Sequence, residues 1–295
     1  MENLVRPNHL IDVVLDTDAY NEIDDQYTIS LMMKMPEKFN VKAIYAAPFF
    51  NGNSTSPEDG MEKSYNEILN LLKLMKSDYK FVYKGSRGYL MDESTPRFSP
   101  ASEHLVSLAQ NYSPDNPLYV IAIGAITNVA SAFITSPEIA KNTVVVWLGG
   151  HATHWRDTKE FNMRQDVAAA RVVFNSECKL VQLPCGGVVD RLTTTKPELE
   201  YWLKGKNQLC DYLISHTVNE AESYAKGKPW SRVIWDISAP MWFLGEDLMS
   251  YKVIKAPIPE YNFTYSYSEN RKDVYYVENV NRDAIFDILF NVLSK

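Results

Sequence analysis

The chain has 295 residues and a formal net charge of −7, enough length to bury a substantial core and too acidic a balance to favour nucleic acid or anionic lipid as partner. A content of 45% hydrophobic, 12% aromatic and 23% charged residues is that of a folded globular protein and excludes a disordered or fibrous one. No run approaches the roughly 18 apolar residues of a membrane span, and the start MENLVRPNHL lacks the segments of a secretory signal, so a cytoplasmic address is expected. Cys178, Cys185 and Cys210 have no metal-ligand spacing and suit packing in a reducing compartment.

In chain order, the apolar branched runs IDVVL, VKAIYAA, YKFVY, LYVIAIG, TVVVWLGG and CKLVQLP predict strands. Between them, DDQYTISLMMKM, GMEKSYNEILNLLKLMK, ASEHLVSLAQNY, TNVASAFITSP and DVAAARVVFN predict helices. Such alternation implies a Rossmann-like α/β fold, a mainly parallel sheet with helices on both faces. Beyond about residue 183 the pattern loosens: helices are expected at KPELEYWLK and QLCDYLISHTVNEAESYAK, and the aromatic-polar alternation after residue 261 predicts a small hairpin before a final helix. No composition break demands a boundary, so one domain over 1–295 is expected.

The stretch LDTDAYNEIDDQ places Asp16, Asp18, Glu22, Asp24 and Asp25 directly behind the first strand. Ligands of open parallel sheets collect at the carboxyl ends of strands. Carboxylates converging there repel one another unless protonated or neutralised by a cation, and their hard oxygens suit Ca²⁺ or Mg²⁺. Asn21, Glu22, Asp24 and Asp25 serve equally well as caps and charge partners of the following helix, which leaves Asp16 and Asp18 unexplained. Other strand ends carry polar groups too: Thr127 and Asn128 after Gly124, Glu160 and Asn162 after Gly149 and Gly150, Asp166 at a predicted helix start, and Asp236 after VIW.

These residues resemble the inosine-uridine preferring nucleoside hydrolases through most of the chain. In that family the first strand ends in D-x-D followed by a D-D pair, matched here by Asp16, Asp18, Asp24 and Asp25. IGAITNVA is similar to the family's G-P-L-T-N, LGG to its glycine pair, EFNMRQDVAAARVVF to E-F-N-x-x-x-D-P-E-A-A-x-x-V-F, and WDISAP to H-D-P-x-A. The resemblance implies hydrolysis of the N-glycosidic bond of a ribonucleoside, with Ca²⁺ holding the attacking water and the ribose diol, and a place in purine or pyrimidine salvage. It implies Asp18 as metal ligand and general base, Asp25, Asp236 and the Ile123 carbonyl as further ligands, and Asp16 as a brace behind them. Asp24, Glu160 and Asn162 would bind the ribose hydroxyls, and a homo-oligomer, dimer or tetramer, would be usual.

The sequence departs from the family in places. Asp18 and Asp24 lie six apart, two more than in D-x-D-P-G-x-D-D, which brings Asn21 or Glu22 toward the site. His154 stands where the family has an asparagine for the ribose 5′-hydroxyl, and Trp235 where it has a histidine that assists the leaving base. Trp235 suits stacking on a base or simple packing. Tyr224, Trp230 and Arg232 are candidates for base contact or for the surface. Asn51 and Asn53 follow the second strand, Asn51 being the better match to the family's ribose-binding asparagine, and a turn role fits both.

A ribose-binding or sensing protein without catalysis is the alternative from another class, and a metal-free cluster of helix caps is a third. A dehydrogenase or kinase is excluded, because no G-x-G-x-x-G or G-x-x-x-x-G-K-[ST] follows the first strand and the acids there would repel a pyrophosphate.

Overall fold

Branched and aromatic residues dominate the buried strands, and a computed structural model, which describes residues 5–295, arranges them as twelve strands and ten α-helices among the described residues. The strands are β1 (Ile11–Thr17), β2 (Phe39–Ala46), β3 (Val82–Lys84), β4 (Leu118–Ala122), β5 (Thr143–Leu148), β6 (Lys179–Leu183), β7 (Thr193–Thr194), β8 (Arg232–Val233), β9 (Met249–Lys255), β10 (Ile258–Pro259), β11 (Tyr265–Ser266) and β12 (Asp273–Val280). The helices are α1 (Asp25–Met33), α2 (Pro57–Leu74), α3 (Pro100–Ala109), α4 (Thr127–Thr135), α5 (Phe161–Gln165), α6 (Val167–Asn175), α7 (Lys196–Leu203), α8 (Gln208–Ala225), α9 (Ser238–Met241) and α10 (Arg282–Leu293).

Eight strands form one sheet in the order β3-β2-β1-β4-β5-β6-β12-β9. All neighbours are parallel except β9, which runs antiparallel to β12 on the edge. The period of two divides the sheet between two cores. Val13, Leu15, Ile44, Ile121, Val146 and Val181 face helices α1, α2, α8 and α10, whereas Val14, Tyr45, Val120, Val145, Trp147 and Leu180 face α3, α4 and α6. The expected parallel α/β sheet with helices on both faces is therefore what forms.

Two differences from the sequence reading have plain causes. Helix α2 begins at Pro57 rather than Gly60 because Ser56 accepts the Asp59 N–H (3.1 Å) and Pro57 occupies the first turn. The tail strand β12 joins the main sheet, pairing with β6 and with β9, whose exposed, lysine-rich run had given no strand signal. The small hairpin is β10 against β11, between those two strands.

Chain order reverses direction across the sheet between β1 and β4, so the loops leaving these strands part and open a crevice at their carboxyl ends. The polar residues beside it are locked by caps. Asp166 accepts the Ala169 N–H (2.9 Å) at the start of α6, the Leu90 N–H (2.9 Å) and the Thr127 hydroxyl (2.7 Å), tying α4, α6 and the 85–99 loop together. Asp166→Ala should therefore lower stability by about 2–3 kcal/mol in urea denaturation, since it leaves buried donors unpaired; a loss below about 0.5 kcal/mol would contradict that role.

Candidate active site

The carboxyl ends of the two strands that border the crevice contribute oxygen atoms. Asp16, the penultimate residue of β1, is fully buried; its Oδ1 accepts from Asn128 Nδ2 (2.7 Å), while Oδ2 has no partner. Asn128 also donates to the Ala46 carbonyl (3.3 Å) and accepts the Ser86 N–H (2.8 Å), so it stitches β1, β2 and the 85–99 loop beneath the acids. Burial pushes the Asp16 carboxyl up to about 7, with the Asn128 hydrogen bond opposing it.

Beyond β1, Asp18 is buried with both carboxylate oxygens unpartnered. Gly124 makes room for it: a Cβ at that position would lie 3.1 Å from Asp18 Cγ. Asp24, Asp25 and Asp236 each offer an oxygen within 4.8 Å of the others. Asp24 Oδ2 accepts the N–H groups of Trp235 (3.0 Å) and Asp236 (3.4 Å), and Asp25 Oδ1 accepts the Thr17 hydroxyl. Burial and then the charges of Asp25 and Asp24 raise the Asp18 carboxyl well above its ordinary range. Asp236 is raised by burial and by Asp24, Asp25 and Asp18, and Asp25 by burial, to about 6 against the bonds from Thr17 and Asp236.

Such a group is electrostatically incomplete. Buried carboxylates with empty lone pairs, and carbonyl oxygens beside them, are the donor set of a hard divalent cation, which fits here. Asp24, Asp25 and Asp236 form the tight triad, so the structure adds Asp24 to the oxygens that could hold an ion, with Asp18 next to them.

A cavity of about 200 Å³ opens over this cluster. Asn21, Glu22, Asp24, Trp235 and Asp236 border it, as do Ile123, Leu148, Glu160 and Asn162 from the ends of β4 and β5. Asn162 Nδ2 donates to the carbonyls of Ile123 (3.2 Å) and Leu148 (3.0 Å), leaving its Oδ1 free of those two bonds. Glu160 caps α5: its oxygens accept the N–H groups of Asn162 (2.8 Å), Met163 (2.9 Å) and Gly150 (2.8 Å), so most of its lone pairs are filled by backbone. Gly150 needs its positive φ of 77° to present that N–H, and a Cβ there would strike the Tyr265 hydroxyl at 2.2 Å.

Two expected substrate contacts lie elsewhere. His154 is exposed and does not border the cavity; His151, directly after the glycine pair, borders it instead. Asn51 is likewise absent from the lining, because its Nδ2 donates to Asn21 Oδ1 (2.6 Å) and to the Asn21 carbonyl (3.2 Å); Asn53 adds a bond to that carbonyl (2.9 Å). The longer acidic loop thus substitutes Asn21 at the cavity. Trp235 does border it, whereas Tyr224, Trp230 and Arg232 do not. Arg232 instead grips Glu22 (2.7 Å) and Glu220 (3.0 Å).

His151, Lys159, Phe161 and Cys185 escaped the sequence reading, although the strand-end rule that found Ile123 applies equally to His151 after β5 and Cys185 after β6. The three cysteines are buried and free. Burial, then the charges of Glu160 and Asp236, keeps the Cys185 thiol protonated, which disqualifies it as a nucleophile.

A family model of the inosine-uridine preferring nucleoside hydrolases matches residues 13–287. The chain belongs to that family. A pyrimidine-specific ribonucleoside hydrolase, RihA, of Salmonella arizonae is 30% identical over 188 residues, covering 56% of this chain and 57% of that protein. The counterpart in Salmonella agona is 29% identical over 192 residues, covering 57% and 58%. The chain thus spans somewhat over half the length of these curated relatives. Among solved structures, the plant nucleoside hydrolase PpNRh1 superposes with a TM-score of 0.76 at 17% identity, covering 98% of this chain and 99% of that one. A purine-preferring ribonucleoside hydrolase from Gardnerella vaginalis gives 0.74 at 16%, covering 96% and 98%. These superpositions establish the shared fold. No helix among the described residues is long and apolar enough to cross a membrane.

The raised carboxyls set a pH dependence. With Asp25 at about 6 and Asp16 at about 7, against an ordinary 3.8, the ion-free folded state holds protons that the unfolded state has released. Its stability should therefore fall as pH rises from about 4 to 7. In thermal denaturation, saturating Ca²⁺ should raise Tm by roughly 5 °C at pH 8 and by much less at pH 5, where protons compete for the oxygens. Equal shifts at both pH values would contradict binding to these carboxylates.

Proposed function

We propose that the protein is a Ca²⁺-dependent hydrolase of the N-glycosidic bond of a ribonucleoside or related N-riboside, releasing ribose and the base. The observation that carries this reading is the pair of buried, unpartnered Asp18 oxygens beside the Asp24, Asp25 and Asp236 triad, at the point where the sheet order reverses. The nucleoside substrates named for the relatives support it. Those names include pyrimidine-specific and purine-preferring enzymes, so they leave the base open.

In this reading Asp18, Asp25, Asp236 and the Ile123 carbonyl would hold the ion, next to Asp24. A bound Ca²⁺ supplies a positive centre that orients the ribose diol and makes water a stronger acid. Asp18, with no other hydrogen bond to keep, takes the proton of the attacking water. Asp24 has Oδ2 committed to the backbone of Trp235 and Asp236, which leaves Oδ1 for a ribose hydroxyl. Asn162 donates to the two carbonyls and accepts a ribose hydroxyl through Oδ1. Asn21, held by Asn51 and Asn53, takes the place those residues were expected to fill, while Asp16 braces β1 through Asn128.

As the bond between C1′ and the base nitrogen breaks, its electron pair goes to the base and positive charge grows on the ribose ring. The surrounding carboxylates, Glu160 among them, stabilise that charge more than they stabilise the ground state. The water oxygen then closes on C1′. No protein nucleophile is required, in keeping with the protonated Cys185.

Base release from a panel of purine and pyrimidine ribonucleosides with Ca²⁺ present tests the reading. Asp18→Ala should reduce kcat by about 10³-fold or more while leaving the fold intact by circular dichroism. Absence of release from every substrate by the wild-type protein would sink the proposal.

A further inference from the structure

The cavity lining that adjoins the loop after β1 carries an aromatic residue and acids, whereas its basic residues come from the loop after β5. Trp235 is half-buried, borders the cavity, and donates its backbone N–H to Asp24, which puts an aromatic residue beside the carboxylate cluster. Glu22, also on the lining and with 38% of its side chain exposed, lies at the same end. Its partner Arg232 is shared: one guanidinium faces the carboxylates of Glu22 at 2.7 Å and Glu220 at 3.0 Å. One positive and two negative charges leave this end anionic. Burial alone would lower the Arg232 pKa, but these carboxylates outweigh it and keep the group charged.

Among the described residues of the lining, those adjoining the loop after β1 include no basic side chain. The cavity-lining cation, Lys159, belongs to the β5–α5 loop and is exposed. His151, from the same loop, accepts the Gly186 N–H at Nδ1 (3.0 Å). Burial lowers its pKa, with Asp157 and Asp190 acting against burial and Arg156 with it, so the ring is neutral at physiological pH. Both residues follow β5, two places across the sheet from β1, whereas Trp235 and Glu22 adjoin the loop after β1.

We infer that this cavity selects N-ribosides with a positively charged base, such as pyridinium ribosides or N7-alkylated purine ribosides, over neutral nucleosides. The inference rests on the proposed hydrolase activity and names its substrate class. A neutral base departs as an anion unless a donor protonates it, and an anionic wall opposes that departure. A cationic base needs no donor: the electron pair of the broken C1′–N bond cancels its charge, the base leaves neutral, and water supplies oxygen to C1′ and its proton to Asp18. Before cleavage, the cation gains from the Trp235 face and the Glu22 carboxylate.

Initial rates with Ca²⁺ are measured for nicotinamide riboside and 7-methylguanosine against uridine and inosine. Cationic ribosides are intrinsically labile, so the readout is the change in the cationic-to-neutral ratio of kcat/KM upon substitution. Glu22→Gln should lower that ratio at least fivefold, and Trp235→His should lower it by raising turnover of the neutral substrates. Glu220→Gln, which lies off the cavity lining and makes the Arg232 group neutral, should lower it in the same direction. A ratio unchanged within twofold in Glu22→Gln or Trp235→His overturns the inference. No wild-type turnover of any riboside refutes the hydrolase reading itself, whereas turnover with an unchanged ratio refutes this inference alone.

Discussion

Like charges buried side by side are the constraint around which this molecule is arranged. Asp18, Asp24, Asp25 and Asp236 sit within one crevice, each stripped of bulk water, and burial is the first cause of every raised carboxyl there. Protein of this kind has two ways to tolerate such a group: protons on some carboxyls, or a cation among them. The surrounding structure favours the second by withholding donors from Asp18 while satisfying the others in part. Thr17 serves Asp25, the Trp235 and Asp236 amides serve Asp24, and Asn128 serves Asp16.

Rigid parts position these acids. Asp16 lies inside β1, between β2 and β4, so its carboxylate cannot shift without breaking sheet pairing. The Ile123 carbonyl is aimed by Asn162, and Asn162 is held in turn by the Glu160 cap of α5. The acidic loop between β1 and α1 is less regular, yet Asn51 and Asn53 clamp its middle and Arg232 clamps Glu22. Short polar side chains do here what packing does in the core.

Much of this was legible in the sequence because the same physics wrote it. Buried parallel strands must be apolar on both faces, and VVL, YVIAI and VVVWL say so directly. Acids immediately behind such strands have no packing reason to exist, which made Asp16 and Asp18 conspicuous. Strand β9 was illegible because an exposed edge tolerates lysines, and Lys252 and Lys255 are matched across the sheet by Glu278 and Asp273. Loop direction was illegible as well. Spacing pointed to His154 and Asn51, but backbone turns aim His151 into the cavity and side-chain hydrogen bonds turn Asn51 onto Asn21.

The hydrogen bond from the Asp236 amide to Asp24 joins residues 212 positions apart. A contact so distant in the chain has a kinetic consequence, because closing a long loop carries an entropic cost before any contact rewards it. During synthesis β1 through β6 can pair as they emerge, leaving Asp18, Asp24 and Asp25 assembled but without their fourth carboxylate. The Trp235–Asp236 segment and β12, which pairs with β6, lie beyond all of these strands in the chain. The crevice therefore gains its fourth carboxylate only after chain well beyond β6 has folded against it.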